Sequence, residues 1–469
     1  MNEASQPAPK PVPGVVPLYT RWTSTPAFVL AAIGAGVGLG NIWRFPYVTG
    51  LHGGGAFVAV YVLAAFGIVM PVLVAELIIG RRGGGSPMRS IAALARESGA
   101  SPLWRGFGAV GLLATFLVLS TSTVFASWAV PYMLKSATGA FNRATPEAVR
   151  VAYDTFVANP IGLMGWHGGF LLVVAVLVAQ GLREGLERAF KVLIPSFLAV
   201  LVGLVIYAGV NGAFMTTVHF MTRPVFTGLG PSAVLTAIGS AFVTVTVGLG
   251  IMMTFGTHLD RSVNITRAAV GIVAADVVVS LLAAFAVFPI VFANSLNPAE
   301  GPGLVFVTMT TAFARMPGGA IVGTLFFLFL MLAALTSAIA ALQPLVAWAM
   351  ERHGWKRAEA GLGFASAAWL LGIGINFSFN VGKSFHPLFW SPWLKNATVF
   401  QAVDRLTSDV LIPVAGVSLL VFSGWKLTED LVQDELAPIS SLWLMAWRFL
   451  VRWLAPVTLL AIGALIAFR

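Results

Sequence analysis

The chain has 469 residues, of which 58% are hydrophobic and only 10% are charged, and its net charge is +10. A soluble globular domain carries about 25% charged residues, so the composition excludes a soluble enzyme, a secreted disulfide scaffold and a disordered protein. The positive charge would suggest a nucleic-acid partner in a soluble protein. In a membrane protein, basic loops facing anionic headgroups account for it, so no nucleic acid is expected.

Apolar stretches bounded by charged or turn residues predict the elements in chain order. A helix crosses roughly 30 Å of hydrocarbon with about 20 residues. Eleven stretches qualify, at 25–48, 54–80, 106–135, 166–182, 192–212, 231–258, 266–294, 319–350, 359–378, 400–424 and 441–467. Backbone groups that face lipid must be hydrogen-bonded, so these stretches must be helices. The sequence predicts an all-α polytopic membrane protein with about eleven transmembrane helices.

The distribution of basic residues predicts the orientation of the chain in the membrane. More Lys and Arg fall on the side of the N-terminal segment than on the other side, which favours a cytoplasmic N-terminus. Eleven spans then place the C-terminus outside. Residues 1–22 are rich in proline and polar, with no apolar core before a cleavage site, and predict a cytoplasmic tail. We expect a multi-pass protein of the cell (inner) membrane.

A glycine-containing tetrapeptide recurs in the middle of two predicted spans. Val-Gly-Leu-Gly stands at 37–40 in the first span and again at 247–250 in the sixth. Each glycine weakens a helix by about 1 kcal/mol relative to alanine, so both segments can unwind, although close helix packing through small residues is the alternative. The match between spans five apart favours two broken helices in inverted repeats, which is typical of secondary transporters.

Four segments carry a resemblance to a known family. Residues 28–57, FVLAAIGAGVGLGNIWRFPYVTGLHGGGAF, resemble the first-helix signature of the neurotransmitter:sodium symporter family. Residues 181–191 resemble its loop between helices 4 and 5, residues 298–306 its fourth extracellular loop, and residues 334–344 its eighth helix. The resemblance runs from about residue 22 to 425 and therefore covers nearly the whole chain.

The resemblance implies a fold and an activity. It implies the leucine-transporter fold of the bacterial eleven-span type, a five-plus-five inverted repeat with broken helices 1 and 6. The first repeat would occupy 23–215 and the second 216–425, followed by the last span and C-terminus at 426–469. The implied activity is Na⁺-coupled uptake, by alternating access, of a small-molecule substrate: an amino acid, most simply a hydrophobic one, or a derived amine.

The resemblance also implies two sodium sites. The first consists of Gly36, Asn41, Thr244 and Asp276. The second consists of Gly34, Val37, Ala333, Thr336 and Ser337. The oxygen atoms of such residues suit a hard cation. The two hydroxyl residues of the second site have an alternative role, because Ser and Thr in membrane helices often bond carbonyls of their own helix.

Charged residues inside the predicted spans point to function, because they are costly in hydrocarbon and usually face a cavity or a partner. Asp276 lies in the apolar run AAVGIVAADVVVSLLAAF, either as an ion ligand or as a hydrogen-bonded structural carboxylate. By resemblance, Arg44 and Asp404 form the extracellular gate, with interfacial anchoring as the alternative. Glu76 resembles the carboxylate that binds backbone freed by the break in helix 6.

One residue at the predicted cytoplasmic gate departs from the family pattern. Trp22 resembles the tryptophan that seals the cytoplasmic exit. The family's partner arginine, three residues before it, is replaced by Tyr19. Arg21 is a candidate substitute, which leaves the pairing of the inner gate with Glu351 open.

The predicted substrate pocket follows from the same resemblance. Its residues are Ala35, Gly36, Leu39, Gly40, Val118, Ser122, Val243, Thr244, Thr246, Leu249, Ser337 and Ala341. The family normally has a tyrosine at 122, which holds the substrate carboxylate, and often an aromatic lid at 243. Unless helix 3 is misaligned, the pocket is roomy, apolar and short of one carboxylate donor. It therefore suits a bulky hydrophobic amino acid or an amine.

Chloride is not expected to be required. In chloride-dependent relatives a serine on helix 7 helps to bind Cl⁻, and Ser280 resembles it, with Tyr61 and Ser240 nearby. Asp276 already supplies a negative charge where those relatives carry asparagine. Two like charges a few ångströms apart repel by several kcal/mol at an effective dielectric of about 20. Ser280 also has an ordinary alternative role, bonding the backbone of its own helix.

Other classes of function fit the sequence less well. A channel would require a pore-lining repeat or a charged ring, and none is visible. An enzyme is not expected, because the six histidines are scattered, cysteine is absent and no catalytic constellation lies within the spans. A substrate sensor or a channel-like protein on the same fold remains the alternative. No obligate protein partner is inferred.

Overall fold

In a computed structural model of the chain, helices form nearly all of the regular structure. The structure describes residues 20–226, 229–296, 304–437 and 440–467. Most of the predicted N-terminal tail and most of the segment resembling the fourth extracellular loop lie outside these ranges. The helices are α1 Thr25–Gly36, α2 Gly40–Leu51, α3 Gly55–Gly83, α4 Pro87–Glu97, α5 Pro102–Ala137, α6 Pro146–Val157, α7 Pro160–Ala179, α8 Leu182–Asn211, α9 Phe214–Thr222, α10 Pro231–Val245, α11 Ile251–Thr257, α12 Ile265–Ala293, α13 Met309–Arg315, α14 Gly319–His353, α15 Arg357–Phe377, α16 Val399–Lys426, α17 Glu429–Leu436 and α18 Ser441–Leu465.

The predicted all-α polytopic fold is confirmed. In the described ranges, nine helices are long and apolar enough to cross a membrane, and α1 with α2 forms a tenth span bent by 57°. The sixth predicted span is divided into α10, with 15 residues, and α11, with 7, so neither half reaches the length of a span alone. Large apolar side chains face outward from the bundle, as lipid contact requires; Leu63 is 72% and Leu370 61% exposed.

The backbone shows why both glycine-containing segments interrupt their helices. Helix α1 ends at Gly36, and Val37 is extended, with φ −68° and ψ 110°. In the second break Thr246, Gly248 and Gly250 have φ values of 56°, 86° and 76°. A right-handed helix cannot continue through left-handed residues. Glycine adopts this conformation without strain, whereas the β-branched Thr246 is strained there.

Long continuous helices pack around both interrupted spans. Helix α1 packs against α8, α12 and α14, while α10 and α11 both pack against α3. Helix α14 packs extensively along α5. Both breaks are therefore surrounded by continuous helices whose side chains can reach the unpaired backbone.

Candidate functional site

A cluster of five buried polar side chains joins the first break to α12. Asn41 Nδ2 donates to Asp276 Oδ1 at 2.7 Å and to Ser280 Oγ at 2.8 Å. The Tyr61 hydroxyl donates to Asp276 Oδ2 at 3.1 Å. It also lies 2.9 Å from Thr244 Oγ1 and 3.0 Å from Ser280 Oγ. Three of the predicted ligands of the first sodium site thus lie together, with Tyr61 and Ser280 beside them.

The chemistry of this cluster fits a monovalent cation. Asp276 is only 2% exposed, and its hydrogen-bond partners in the described chain are neutral. A buried charge is costly without a charged partner, which a Na⁺ ion would supply. Gly36 lies against the backbone of Thr244: a Cβ added at Gly36 would stand 3.4 Å from the Thr244 carbonyl oxygen. Asn41 Oδ1 accepts from Gly38 N at 3.0 Å and keeps a second lone pair for an ion.

The predicted second sodium site lies where the first break meets α14. Ser337 Oγ donates to the Val37 carbonyl at 3.0 Å, across to the other helix. Thr336 Oγ1 instead donates to Ala333 of its own helix, at 2.8 Å. An added Cβ at Gly38 would stand 2.5 Å from Ser337 Oγ, so glycine allows the break to approach α14 closely here. Gly34 packs against Ile194 of α8, and a Cβ added at Gly34 would clash with that side chain. Within the described chain, groups of three or more His, Asp or Glu that could hold a metal ion are absent.

Two side chains hold the second break. Glu76, fully buried on α3, accepts hydrogen bonds from Gly248 N at 3.0 Å and Gly250 N at 3.4 Å. Thr115 on α5 donates to the Leu249 carbonyl at 2.5 Å. The break therefore has both an acceptor for its freed amides and a donor for a freed carbonyl. Sequence reasoning missed Thr115, because one hydroxyl in an apolar span carries no distinguishing signal.

The predicted substrate residues are only partly brought together. Thr246 Oγ1 donates to the Ala35 carbonyl at 3.4 Å, and Gly40 faces Val243, whose Cγ1 would stand 3.5 Å from an added Cβ. Ser122 Oγ donates to the Leu119 carbonyl of its own helix, at 3.4 Å. One hydrophobic cluster contains five of the predicted residues: Ala35, Leu39, Val118, Leu249 and Ala341.

The end of the bundle that carries Trp22 is closed. Trp22 is 7% exposed, and its Nε1 donates to the Phe255 carbonyl at 3.1 Å. Its ring packs against Phe28 and Phe255. Beside it, Arg21 forms an ion pair with Asp260. Hydrogen bonds from Ser262 and the Arg21 guanidinium hold the pKa of the Asp260 carboxyl below its usual range.

At the Trp22 end, the sequence left the partner of Glu351 open, and in the structure that partner is not Arg21. Arg21 pairs with Asp260, whereas Glu351 accepts from Ser86 N at 2.9 Å and lies 3.7 Å from Arg89. The end of α14 meets the turn between α3 and α4, and this packing brings Glu351 to Ser86 and Arg89.

At the opposite end the expected ion pair of Arg44 with Asp404 is not formed. In the described ranges no carboxylate lies within 4.0 Å of the Arg44 guanidinium. Asp404 is exposed, and the charges of both Asp404 and Asp409 act on Arg44 without direct contact. Within the described ranges, packed side chains therefore cover the Trp22 end, whereas the Arg44 end lacks the expected ion pair.

A polytopic helical bundle with two broken helices around buried polar groups defines the class of secondary transporters. The family model "Sodium:neurotransmitter symporter family" matches residues 19–150 and 158–462. The chain therefore belongs to the sodium:neurotransmitter symporter family, as the first-helix motif predicted. It is a Na⁺-coupled, multi-pass membrane transporter of a small-molecule substrate and not an enzyme.

Individual relatives match over nearly their full length. An uncharacterized sodium-dependent transporter of Bacillus subtilis, YhdH, is 32% identical, with 94% of this chain and 96% of the relative covered. One from Haemophilus influenzae is 27% identical over the same shares. The crystal structure of MhsT in complex with L-phenylalanine matches with a TM-score of 0.86 and 34% identity, covering 96% of this chain and 100% of that one.

Proposed function

We propose that this transporter imports a hydrophobic amino acid, coupled to Na⁺ bound at two sites. The observation that carries the proposal is the contact of Asp276 with Asn41 beside the first break. The contact supports the proposal because the buried carboxylate, which would bind the ion, lies near the backbone groups freed by the break, and these could bind the charged groups of the substrate. The solved complex of a relative with L-phenylalanine supports an aromatic or other large hydrophobic amino acid as substrate.

The size of the predicted pocket residues supports the same substrate class. The family normally carries an aromatic side chain at the position of Ser122 and often carries one at the position of Val243. The substrate would occupy the space that these two rings take in other members of the family. Ser122 directs its hydroxyl to its own helix, and the substrate carboxylate would then be held by Na⁺ and by amides near Gly38 and Gly40. An amine with no carboxylate is the second candidate substrate.

The proposed cycle assigns a role to each group of residues. Na⁺ at the first site would neutralise Asp276 and face the substrate. Na⁺ at the second site would bridge the first break to α14 through Val37 and Ser337, which keeps the Trp22 end closed. Loss of that ion would release α1 and open the Trp22 end, while Glu76 keeps the second break in one geometry.

The proposed topology follows the distribution of basic residues. The Trp22 end would face the cytoplasm and the Arg44 end the outside, in the inner membrane, with the C-terminus outside. The inverted repeats would be residues 23–215 and 216–425. Chloride would not be needed, because Asp276 supplies the negative charge.

Counterflow in proteoliposomes tests this function. Vesicles preloaded with phenylalanine should accumulate labelled phenylalanine when Na⁺ is present and should not do so in choline buffer. Leucine, alanine and phenethylamine, tested as competitors, define the side-chain size and the need for a carboxylate. Leak without exchange would indicate a channel, and Na⁺-dependent binding without exchange would indicate a sensor; either result would overturn the proposal.

A further inference from the structure

Two adjoining cavities open at the Trp22 end of the bundle, away from the ion and substrate site. The larger, of about 520 Å³, is lined by Arg89, Arg105, Glu351 and Arg352 among others. The second, of about 290 Å³, is apolar and lies between α5, α14 and α15. Met88 and Trp348 line both, so the two cavities adjoin and together form a recess with a polar and an apolar part.

The polar part carries excess positive charge. Three arginines line it against a single carboxylate, Glu351, which already lies 3.7 Å from Arg89 and accepts from Ser86 N. Arg105 and Arg352 are exposed, and neither has a carboxylate within 4.0 Å in the described ranges. Two arginines in one cavity are therefore available for an anion, which guanidinium groups bind with paired hydrogen bonds.

The apolar part runs along the membrane-spanning helices. Leu112, Leu113 and Phe116 of α5 face Leu345 of α14 and Phe364 and Ala367 of α15 across it. Leu113 is 48% exposed, so the groove is open at the side of the bundle. From Arg105 to Phe116 the helix rises about 16 Å at 1.5 Å per residue, which matches half of a hydrocarbon core of roughly 30 Å. The recess thus has the length of one lipid leaflet.

We propose that this recess binds an anionic phospholipid of the cytoplasmic leaflet, with its phosphate between Arg105 and Arg352 and an acyl chain along Leu113 and Phe116. Charge complementarity selects the anionic headgroup, and the adjoining apolar groove selects a lipid over a free phosphate. The assignment of this lipid to the cytoplasmic leaflet rests on the orientation proposed above, whereas the recess itself does not depend on it. The lipid would join α4 and α5 to the ends of α14 and α15, and would leave the Na⁺ ligands untouched.

The test compares lipids of equal chain length on the full-length protein. Native mass spectrometry in detergent measures binding of phosphatidylglycerol and of phosphatidylcholine to the wild type, to R105Q/R352Q and to A367F, which fills the groove. R96Q/R188Q is the matched control, since both arginines are exposed on the same side and line neither cavity. Removing two arginines is expected to lower the affinity for phosphatidylglycerol about 30-fold.

Each outcome decides the proposal. We expect preferential binding of phosphatidylglycerol by the wild type and the control, and weak binding by both recess variants. Equal binding by R105Q/R352Q would overturn it. Unchanged binding by A367F, or displacement of the lipid by millimolar glycerol phosphate, would show a simple anion site and would also overturn it. Na⁺-dependent counterflow, measured on the same variants after reconstitution into proteoliposomes, separates this result from the proposed transport, because lipid binding does not require transport.

Discussion

Asn41 Nδ2 lies 2.7 Å from a carboxylate oxygen of Asp276, and this contact fastens the first turn after the helix break to the middle of α12. The same amide group reaches Ser280 at 2.8 Å, one helical turn further along α12. The first broken span is therefore tied to a continuous helix at the point where an ion would bind. If the proposed ion binds at Asp276, Asn41 would couple its binding to the position of α2.

The first prediction concerns the charge of this cluster. An ionised Asp276 repels a second anion, so replacing chloride with gluconate should leave wild-type uptake unchanged. Asp276→Asn removes the negative charge and should either abolish uptake or make it dependent on chloride. The measurement is initial Na⁺-driven uptake in proteoliposomes, in the two anions.

Ser280→Ala is the matched control for this prediction, because it removes the neighbouring hydroxyl and leaves the carboxylate. It should remain insensitive to chloride. Wild-type uptake that stops in gluconate would contradict the assignment of the charge balance to Asp276.

The second prediction concerns the two hydroxyls of α14. Thr336→Ala with Ser337→Ala removes two oxygen ligands of the proposed second sodium site, as well as the bond from Ser337 to Val37. Because a hydrogen bond to a charged group contributes about 1.5–3 kcal/mol, Na⁺ affinity should fall by at least roughly tenfold and uptake should collapse. Uptake titrated against Na⁺ concentration measures both effects.

Thr324→Ala serves as its control. Thr324 also lies on α14, and its hydroxyl donates to the Ala320 carbonyl of its own helix. This variant should keep the wild-type Na⁺ dependence. A double variant with normal Na⁺ affinity and a normal melting temperature would refute the second site.

The third prediction concerns the closed end. Asp260→Asn breaks the pair with Arg21 and should loosen the segment that holds Trp22. The chain has no cysteine, so the substitution Ala27→Cys introduces a single thiol. Ala27 is only 4% exposed, so labelling of this thiol reports opening of the Trp22 end. Its labelling rate should rise several-fold in Asp260→Asn and remain low in Asp430→Asn, an exposed carboxylate at the same end. Equal rates would show that the pair does not hold the gate.

The pH dependence of this pair has a definite sign. The pKa of Asp260 is lowered in the folded chain. The stabilisation that its ionised form gives to the closed end is therefore fully present above the ordinary pKa of an aspartate and is lost as the pH falls through the lowered pKa. The labelling rate at position 27, divided at each pH by the rate of an exposed reference cysteine to remove the pH dependence of the thiol itself, should therefore be constant across neutral pH and increase only below about pH 4. A rise between pH 8 and 6 would require another titrating group.

The fourth prediction concerns the width of the pocket. Ser122→Tyr fills the proposed space on α5, so it should weaken binding of aromatic amino acids more than binding of alanine. It should also increase the preference for substrates with a carboxylate, since the new hydroxyl can donate to it. Competition against labelled substrate measures both, with Ser122→Ala as the control of unchanged size. Unaltered affinity for aromatic ligands would place residue 122 outside the pocket.

The sequence by itself determined the class of fold and the positions of the breaks. Runs of apolar residues can satisfy their backbone in lipid only as helices, so the spans follow from composition alone. The breaks at 37–40 and 247–250 follow from local backbone preference, because Gly248 and Gly250 adopt left-handed angles that other residues avoid. Asp276 was likewise visible, since a charge in an apolar run is costly without a partner.

Only the tertiary structure decided which residues meet. The pairing of Arg21 with Asp260, the contact of Glu351 with Ser86 and the bond from Thr115 to Leu249 join positions far apart in the chain. No local preference encodes such contacts, because they depend on how rigid helices rotate and slide as they pack. The same holds for the arginine-lined recess, where Arg105 and Arg352 lie on different helices and share a cavity only after the bundle has formed.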